Sequence, residues 1–364
     1  MTTVFTFLTR TISILVIGIA VTIGVIGKYQ PELFLRLPMG FVPWAITGNR
    51  MPPYFDESCL YEENWSGRKG DVVISSGAKA GTLWLHTIVL LLRSGGWDDF
   101  AEESLTAYYG SCEMLQYPEH TLSTRLAEMD DKRALAKAKG FHGFQIFTHK
   151  FPGEDSHLFG VDPEKNPDVK YIAIVRNGKE VLKSFLPFIN SHTEDFRNMW
   201  GGFPPKMDGP EDIVKFAVDD MPHFYFGHLT SWWDRKHLPN VLLLHYRNLR
   251  SDPSSTIQKI ANFLEIPLSD ELLNTILHKT SLEYMTNAST PTKYTGLVGY
   301  PGRKMFPIAE IDSHVRPGGG KLHDHSRQDD FFTDDLKAKW EEAIQEHFGH
   351  DPSLLVFADT GAMQ

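Results

Sequence analysis

Short apolar runs of strand length recur along the chain at wide intervals. DVVISS at 71–76, FQIFTH at 144–149, YIAIVR at 171–176 and NVLLLHY at 240–246 are near-continuous blocks of aliphatic and aromatic residues, not alternating patterns. A strand buried on one face alternates, whereas a run that is apolar throughout is covered on both faces. Around these runs the spacing changes. An apolar segment over 82–92 follows a glycine-containing turn, and helical patterns occupy 179–187, 254–264, 269–279 and 333–347. Buried strands alternating with helices predict an α/β fold of three layers, a mainly parallel sheet with helices on both faces. That domain is expected over 70–350, with 351–364 as a tail. No internal repeat or low-complexity tract interrupts it.

The N-terminus differs in kind. Residues 11–27 read TISILVIGIAVTIGVIG and carry no charge. A bilayer core needs about 20 mostly apolar residues, with a lower limit of about 17, and no convincing small-x-small cleavage site follows the run. The expectation is an N-terminal hydrophobic helix that anchors the chain as a single-pass membrane protein over 1–28, with a signal peptide or a buried helix as the alternatives. Residues 29–69, rich in Pro, Gly and aromatics, then connect the anchor to the domain. Arg10, Lys28 and Arg36 do not decide the orientation, so a Golgi or ER lumenal face and a cytoplasmic face both stay open. The net charge of −10 argues against nucleic acid as a partner. The two cysteines, Cys59 and Cys112, make neither a disulfide framework nor a zinc spacing. Whether they pair is open, and no metal site is expected.

Candidate chemistry begins after the first strand. Ser76-Gly77-Ala78-Lys79-Ala80-Gly81-Thr82-Leu83-Trp84 joins that strand to a long helix. Helix-start N–H groups have no intrahelical partner there, and the helix dipole adds positive charge, so such a turn suits an anion. Gly77 and Gly81 let the backbone wrap closely, Lys79 brings an ammonium, and Thr82 adds a hydroxyl. The P-loop pattern G-x-x-x-x-G-K-[ST] is not met, because the lysine precedes the second glycine. That counts against a P-loop-type kinase, which is kept as an alternative.

This segment resembles the 5′-phosphosulfate loop of the sulfotransferase family, which reads close to P-K-S-G-T-T-W. Lys79, Gly81, Thr82 and Trp84 are retained, while Ala78, Ala80 and Leu83 depart from it. YIAIVRNGKEVLKSF over 171–185 is similar to the family's 3′-phosphate segment and supplies Arg176 and Ser184. An arginine fork and a hydroxyl can converge on one phosphate. The block over 241–266 also resembles the family, with Arg247 where glutamate is usual. HKTSLEYM over 278–285 looks like the segment on the adenine side and gives Thr280 and Ser281. VRPGGG over 315–320 looks like the loop closing on the 3′-phosphate and gives Arg316 and Gly318, with Pro317 in place of its lysine.

The resemblance implies a P-loop-like sulfotransferase fold and an enzyme that uses 3′-phosphoadenosine-5′-phosphosulfate (PAPS) as co-substrate. Nucleotide-binding residues would be Lys79, Ala80, Gly81, Thr82, Leu83, Trp84, Arg176, Ser184, Thr280, Ser281, Arg316 and Gly318. The family's base lies in a K-T-H-x-P segment, and FTHKFP over 147–152 places His149 there, with Phe147 where relatives carry a lysine. A histidine titrating near neutrality suits proton removal from an acceptor. His149 as general base and Lys79 stabilising the leaving phosphate would carry the sulfuryl group in line to a hydroxyl or amine of a small molecule or glycan. The departures at Ala80, Leu83, Phe147 and Pro317 keep a second alternative, a membrane-anchored PAPS-binding scaffold without turnover. The acceptor's identity and the oligomeric state are not legible.

Overall fold

The computed structural model describes residues 57–65, 67–96, 109–111, 122–192, 194, 197, 204–286, 297–299, 305–307 and 331–363, together with 18, 19 and 21. The expected anchor over 11–27 falls almost wholly outside these residues, as do Cys112, Arg316, Pro317 and Gly318. Among the described residues no helix is long and apolar enough to cross a membrane. Cys59 is fully buried.

In chain order the elements are β1 (Val72–Ser76), α1 (Thr82–Ser94), β2 (Tyr109–Ser111), α2 (Leu122–Ala138), β3 (Gln145–Thr148), β4 (Lys170–Val175) and α3 (Gly178–Asn190). They continue with α4 (Pro210–Lys215), α5 (Phe226–Arg235), β5 (Val241–His245), α6 (Tyr246–Ser251), α7 (Pro253–Phe263), α8 (Asp270–Lys279) and α9 (Leu282–Thr286). A small antiparallel pair, β6 (Leu297–Gly299) and β7 (Met305–Pro307), precedes α10 (Asp334–Phe348) and α11 (Pro352–Thr360). The main sheet has the order β2-β3-β1-β4-β5, and every pair in it is parallel.

Strand side chains divide between two cores with the period of two that a pleated strand imposes. Val73, Tyr171, Ala173, Val175, Val241 and Leu243 face α3, α5, α10 and α11, where Phe226, Trp232, Trp340, Phe348 and Phe357 are buried. Val72, Ile74, Ile172, Ile174, Leu242 and Leu244 face α1, α7 and α8. With apolar residues on both faces, the strands read as continuous runs. A third cluster joins Cys59 and Leu60 to Phe144, Ile146, Leu158 and Val161, so part of the connecting segment packs against the domain.

Within the stretch expected as a tail, α11 runs from Pro352 to Thr360, capped by Asp351 and buried through Leu354, Phe357 and Ala358. Its Pro at the first helical turn and the Asp before it are a helix start in sequence, but the run behind them is short and shows no clear helical stripe.

Candidate active site

Register decides which residues meet. Ser75 of β1 lies opposite Thr148 of β3, and Ser76 lies opposite Ile174 of β4. The chain therefore leaves the same edge of the sheet at Gly77, His149 and Arg176. The strand order also reverses at β1: the chain first builds β2 and β3 on one side of it, then β4 and β5 on the other. In open parallel sheets this switch point opens a crevice at the carboxyl ends of the strands.

The loop over 77–81 is a tight turn. Gly77 N–H donates to the Ile174 carbonyl at 3.1 Å, and Ala80 N–H donates back to the Gly77 carbonyl at 3.1 Å. Lys79 and Gly81 both adopt left-handed backbone, with φ of 56° and 98°. At Gly81 a side chain is excluded twice over, because an added Cβ would also lie 2.8 Å from Cδ2 of Tyr246. Ala80 is fully buried beneath the turn. Thr82, Leu83 and Trp84 form the first turn of α1, whose N–H groups open toward the loop. Thr82 Oγ1 is 2.7 Å from Ser76 Oγ.

Arg176 is tied to this loop. Its Nη1 donates to the Lys79 carbonyl at 3.2 Å, its Nε donates to Glu180 Oε2 at 2.9 Å, and its guanidinium lies 4.5 Å from the centre of the Tyr246 ring. Tyr246 thus packs against both Arg176 and Gly81, and its ring meets Trp84 edge-on at 5.8 Å. Sequence reasoning missed it; the signal available was its place as the last residue of the fourth apolar run.

One face of α3 runs alongside. Glu180 holds Arg176, and the Phe188 ring carries the Lys79 ammonium at 4.4 Å. Ser184 lies one turn from each, so helical spacing puts it on the same face. It is half-buried and has no hydrogen bond among the described residues.

His149 sits where β3 ends. Its Nδ1 is 2.7 Å from the Ser76 carbonyl, which can only accept, so Nδ1 carries the proton and Nε2 of the neutral ring carries the lone pair. Phe147 stands edge-on to His149 at 6.3 Å and to His86 at 4.9 Å. Lys150 is turned to acids: its Nζ bonds Glu154 Oε1 at 2.8 Å and lies 3.7 Å from Glu57. Two further imidazoles, His86 and His228, are buried, and burial, with a smaller contribution from His149, pushes each pKa down to about 3.

Helix α5, absent from the sequence reading, braces the end of β1 and the stretch after His149. Ser75 Oγ donates to the Lys150 carbonyl at 2.8 Å and accepts from Trp232 Nε1 at 2.8 Å. Its only proton is then committed, so His228 Nε2, 3.0 Å away, donates to it as well. Ser231 Oγ donates to the Pro152 carbonyl. The readable signal was His228 and Trp232 at i and i+4 on one helix face.

Thr280 and Ser281 lie apart from this cluster in their bonding. Thr280 Oγ1 donates to the Ile276 carbonyl at 2.7 Å, and Ser281 Oγ accepts from Tyr284 N–H at 3.2 Å. Both hydroxyls are engaged at helix ends. No grouping of three or more metal-ligating side chains occurs among the described residues.

At one edge of a parallel sheet, a tight glycine-containing turn after β1 is thus flanked by His149 at the end of β3 and by Arg176 at the end of β4. The sulfotransferase domain profile matches residues 69–350, and the chain belongs to that family. Human sulfotransferase 1E1 is 29% identical over 236 residues, 65% of this chain and 72% of that protein. Rat sulfotransferase 1A1 is 26% identical over 274 residues, 75% of this chain and 82% of the relative. Mouse sulfotransferase SULT7A1 complexed with PAP superposes with a TM-score of 0.56 at 19% identity, covering 83% of this chain and 91% of its own. Retinol dehydratase in complex with retinol and PAP gives 0.55 at 19% identity, covering 79% and 83%. At that identity the superpositions speak for the fold.

Proposed function

We propose that this chain moves the sulfuryl group from PAPS to a hydroxyl or amine of a small acceptor, with His149 as general base. The observation that carries the proposal is the bond between His149 Nδ1 and the Ser76 carbonyl at 2.7 Å. It fixes the tautomer whose Nε2 can take a proton, on the strand end beside the anion-binding turn. Family membership makes sulfuryl transfer the reaction class.

The steps balance without further reagents. The acceptor oxygen or nitrogen forms a bond to sulfur as the bond from sulfur to the 5′-phosphate oxygen breaks, and Nε2 of His149 receives the acceptor's proton. Negative charge gathers on the departing phosphate, where Lys79 and the N–H groups of the loop and α1 oppose it. The product nucleotide is adenosine 3′,5′-bisphosphate (PAP). Arg176 and Ser184 would hold its 3′-phosphate, and Tyr246 would flank the same crevice. For Arg176 this requires sharing the guanidinium with Glu180 and the Lys79 carbonyl, so it serves as loop brace as well as anion ligand.

Calorimetric titration with PAP and with adenosine 5′-monophosphate (AMP) tests the assignment. One charge-assisted contact contributes about 1.5–3 kcal/mol, so PAP should bind about 10-fold tighter or more. Ser184→Ala, which breaks no hydrogen bond within the described structure, should reduce that preference and leave AMP binding unchanged. Arg176→Ala should weaken both nucleotides, since it also frees the Lys79 turn. Equal affinity of the unaltered protein for PAP and AMP would sink the 3′-phosphate reading.

A further inference from the structure

We infer that α11, which lies beyond the stretch matched by the family profile, is a positioning element for the nucleotide site. It acts as a clasp on the two turns that follow β4 and β5. The functional part of this inference rests on the reading of Arg176 given above.

The clasp grips first through Asn177, the neighbour of Arg176. Asn177 Nδ2 donates to Asp359 Oδ1 at 2.8 Å, while its Oδ1 accepts from Glu180 N–H at 3.2 Å. An amide whose nitrogen is held by a carboxylate has its oxygen orientation set at the same time. Asp359 therefore orients the cap of α3, and the Glu180 on that first turn is the residue that holds Arg176 Nε. The line runs from α11 through Asn177 and Glu180 to the guanidinium, and on to the Lys79 carbonyl.

The second grip is on His245, the neighbour of Tyr246. His245 Nδ1 accepts from Arg247 N–H at 3.2 Å and so caps α6, the helix that begins with Tyr246. Phe357 of α11 packs edge-on against the imidazole at 5.5 Å. Gly361, just past α11, has φ of 75°, and a Cβ there would lie 2.8 Å from both Cγ and Nδ1 of His245. Asn248 Nδ2 donates to the Gly361 carbonyl at 2.7 Å. The two routes converge, because Tyr246 carries the Arg176 guanidinium on its ring.

The clasp is itself anchored. Phe357 is fully buried and packs tilted against Trp233 at 5.1 Å, and Trp233 Nε1 donates to Asp351 Oδ2 at 2.8 Å. A fixed α11 thus sets the separation between the turn bearing Arg176 and the turn bearing Tyr246.

Two substitutions in the full chain test it: Gly361→Ala, which drives a methyl into His245, and the surface change Asp359→Ala, which leaves the core untouched. The first readout is amide hydrogen exchange without nucleotide, which does not depend on what the site binds. Both variants should exchange faster over 176–184 and 245–251, with rates over α1 and α7 unchanged. Asp359→Asn, which keeps the acceptor oxygen, should restore the rate over 176–184. The second readout is PAP affinity, where loss of one hydrogen bond of about 0.5–1.5 kcal/mol corresponds to roughly 2–10-fold for Asp359→Ala. Unchanged exchange over both turns in both variants overturns the clasp. So does a uniform rise in exchange with equal losses for PAP and AMP, which would mark a purely structural role. Failure of the 3′-phosphate reading shows separately, as equal binding of PAP and AMP by the unaltered protein.

Discussion

Three side chains from different strand ends carry the proposed chemistry, and each is held by a backbone carbonyl or by an aromatic ring. His149 is oriented by the Ser76 carbonyl, Arg176 by the Lys79 carbonyl, and the Lys79 ammonium rests on Phe188. A carbonyl partner orients an imidazole without adding negative charge beside it, unlike a carboxylate. His149→Ala should lower turnover on any accepted substrate by roughly 10²–10⁴-fold, the usual loss on removing a general base. PAP affinity should stay near that of the unaltered protein, since Nδ1 of the ring is turned to Ser76 of β1. Turnover that survives the substitution removes His149 from the mechanism. Protein that binds PAP but turns over none of a panel of phenols, alcohols, amines and sugars would favour a scaffold. Phe147, standing where the resemblance places a lysine, is the residue such a result would implicate.

The turn over 77–81 shows how an element constrains its residues unequally. Gly81 needs its glycine, because its left-handed backbone and the approach of Tyr246 both exclude a side chain. Gly77 does not: an added Cβ would have nothing nearer than His228 Nδ1 at 3.7 Å. Gly81→Ala should therefore destabilise the fold by about 1–3 kcal/mol and reduce nucleotide binding. Gly77→Ala should stay within about 0.5 kcal/mol of the unaltered protein. Urea unfolding of both variants measures the contrast, and equal losses would contradict the geometry. Most elements around this turn were readable from pattern. The four runs at 71–76, 144–149, 171–176 and 240–246 are β1, β3, β4 and β5 to within about a residue at each end, a spread normal for element limits. Helices α1, α3, α7, α8 and α10 follow their patterns. Helix α2 was missed because it is largely polar, with only Arg125, Met129 and Ala136 buried. Helix α5 was missed because its signal is an i, i+4 pair whose partners lie on β1 and in the stretch after β3.

At the scale of the molecule, three buried imidazoles make stability depend on pH. Burial depresses His86 and His228 to about 3 and His245 to about 4. In the unfolded chain each takes up a proton near pH 6.5, whereas in the native state each stays neutral until pH 3–4. The unfolded state then binds more protons across that interval, so this stability is whole above pH 6.5 and is lost as pH falls below it. Each imidazole contributes about 1.4 kcal/mol per pH unit, and the three together about 4. Urea unfolding from pH 7.5 to 5 should be near level above pH 6.5 and approach that slope below it, with His228→Gln, which keeps a donor for Ser75, removing about a third of it. A flat profile over that range would show that the imidazoles are hydrated or already charged in the native state.

Local order was the sequence's share. Continuous apolar runs betrayed strands covered on both faces, and motif order placed the anion turn, Arg176, Ser184 and His149 in one family. What the tertiary structure decided is which of these meet. Ser76 and His149 are neighbours because β1 and β3 pair in one register, and Arg176 reaches the Lys79 carbonyl because β4 flanks β1 on the other side. A register is a property of two strands far apart in the chain, and no periodicity within either strand encodes it. The same reason hid Tyr246, the bracing of the strand ends around His149 by α5 and the clasp of α11. Each depends on packing between segments whose own patterns show only that they are apolar.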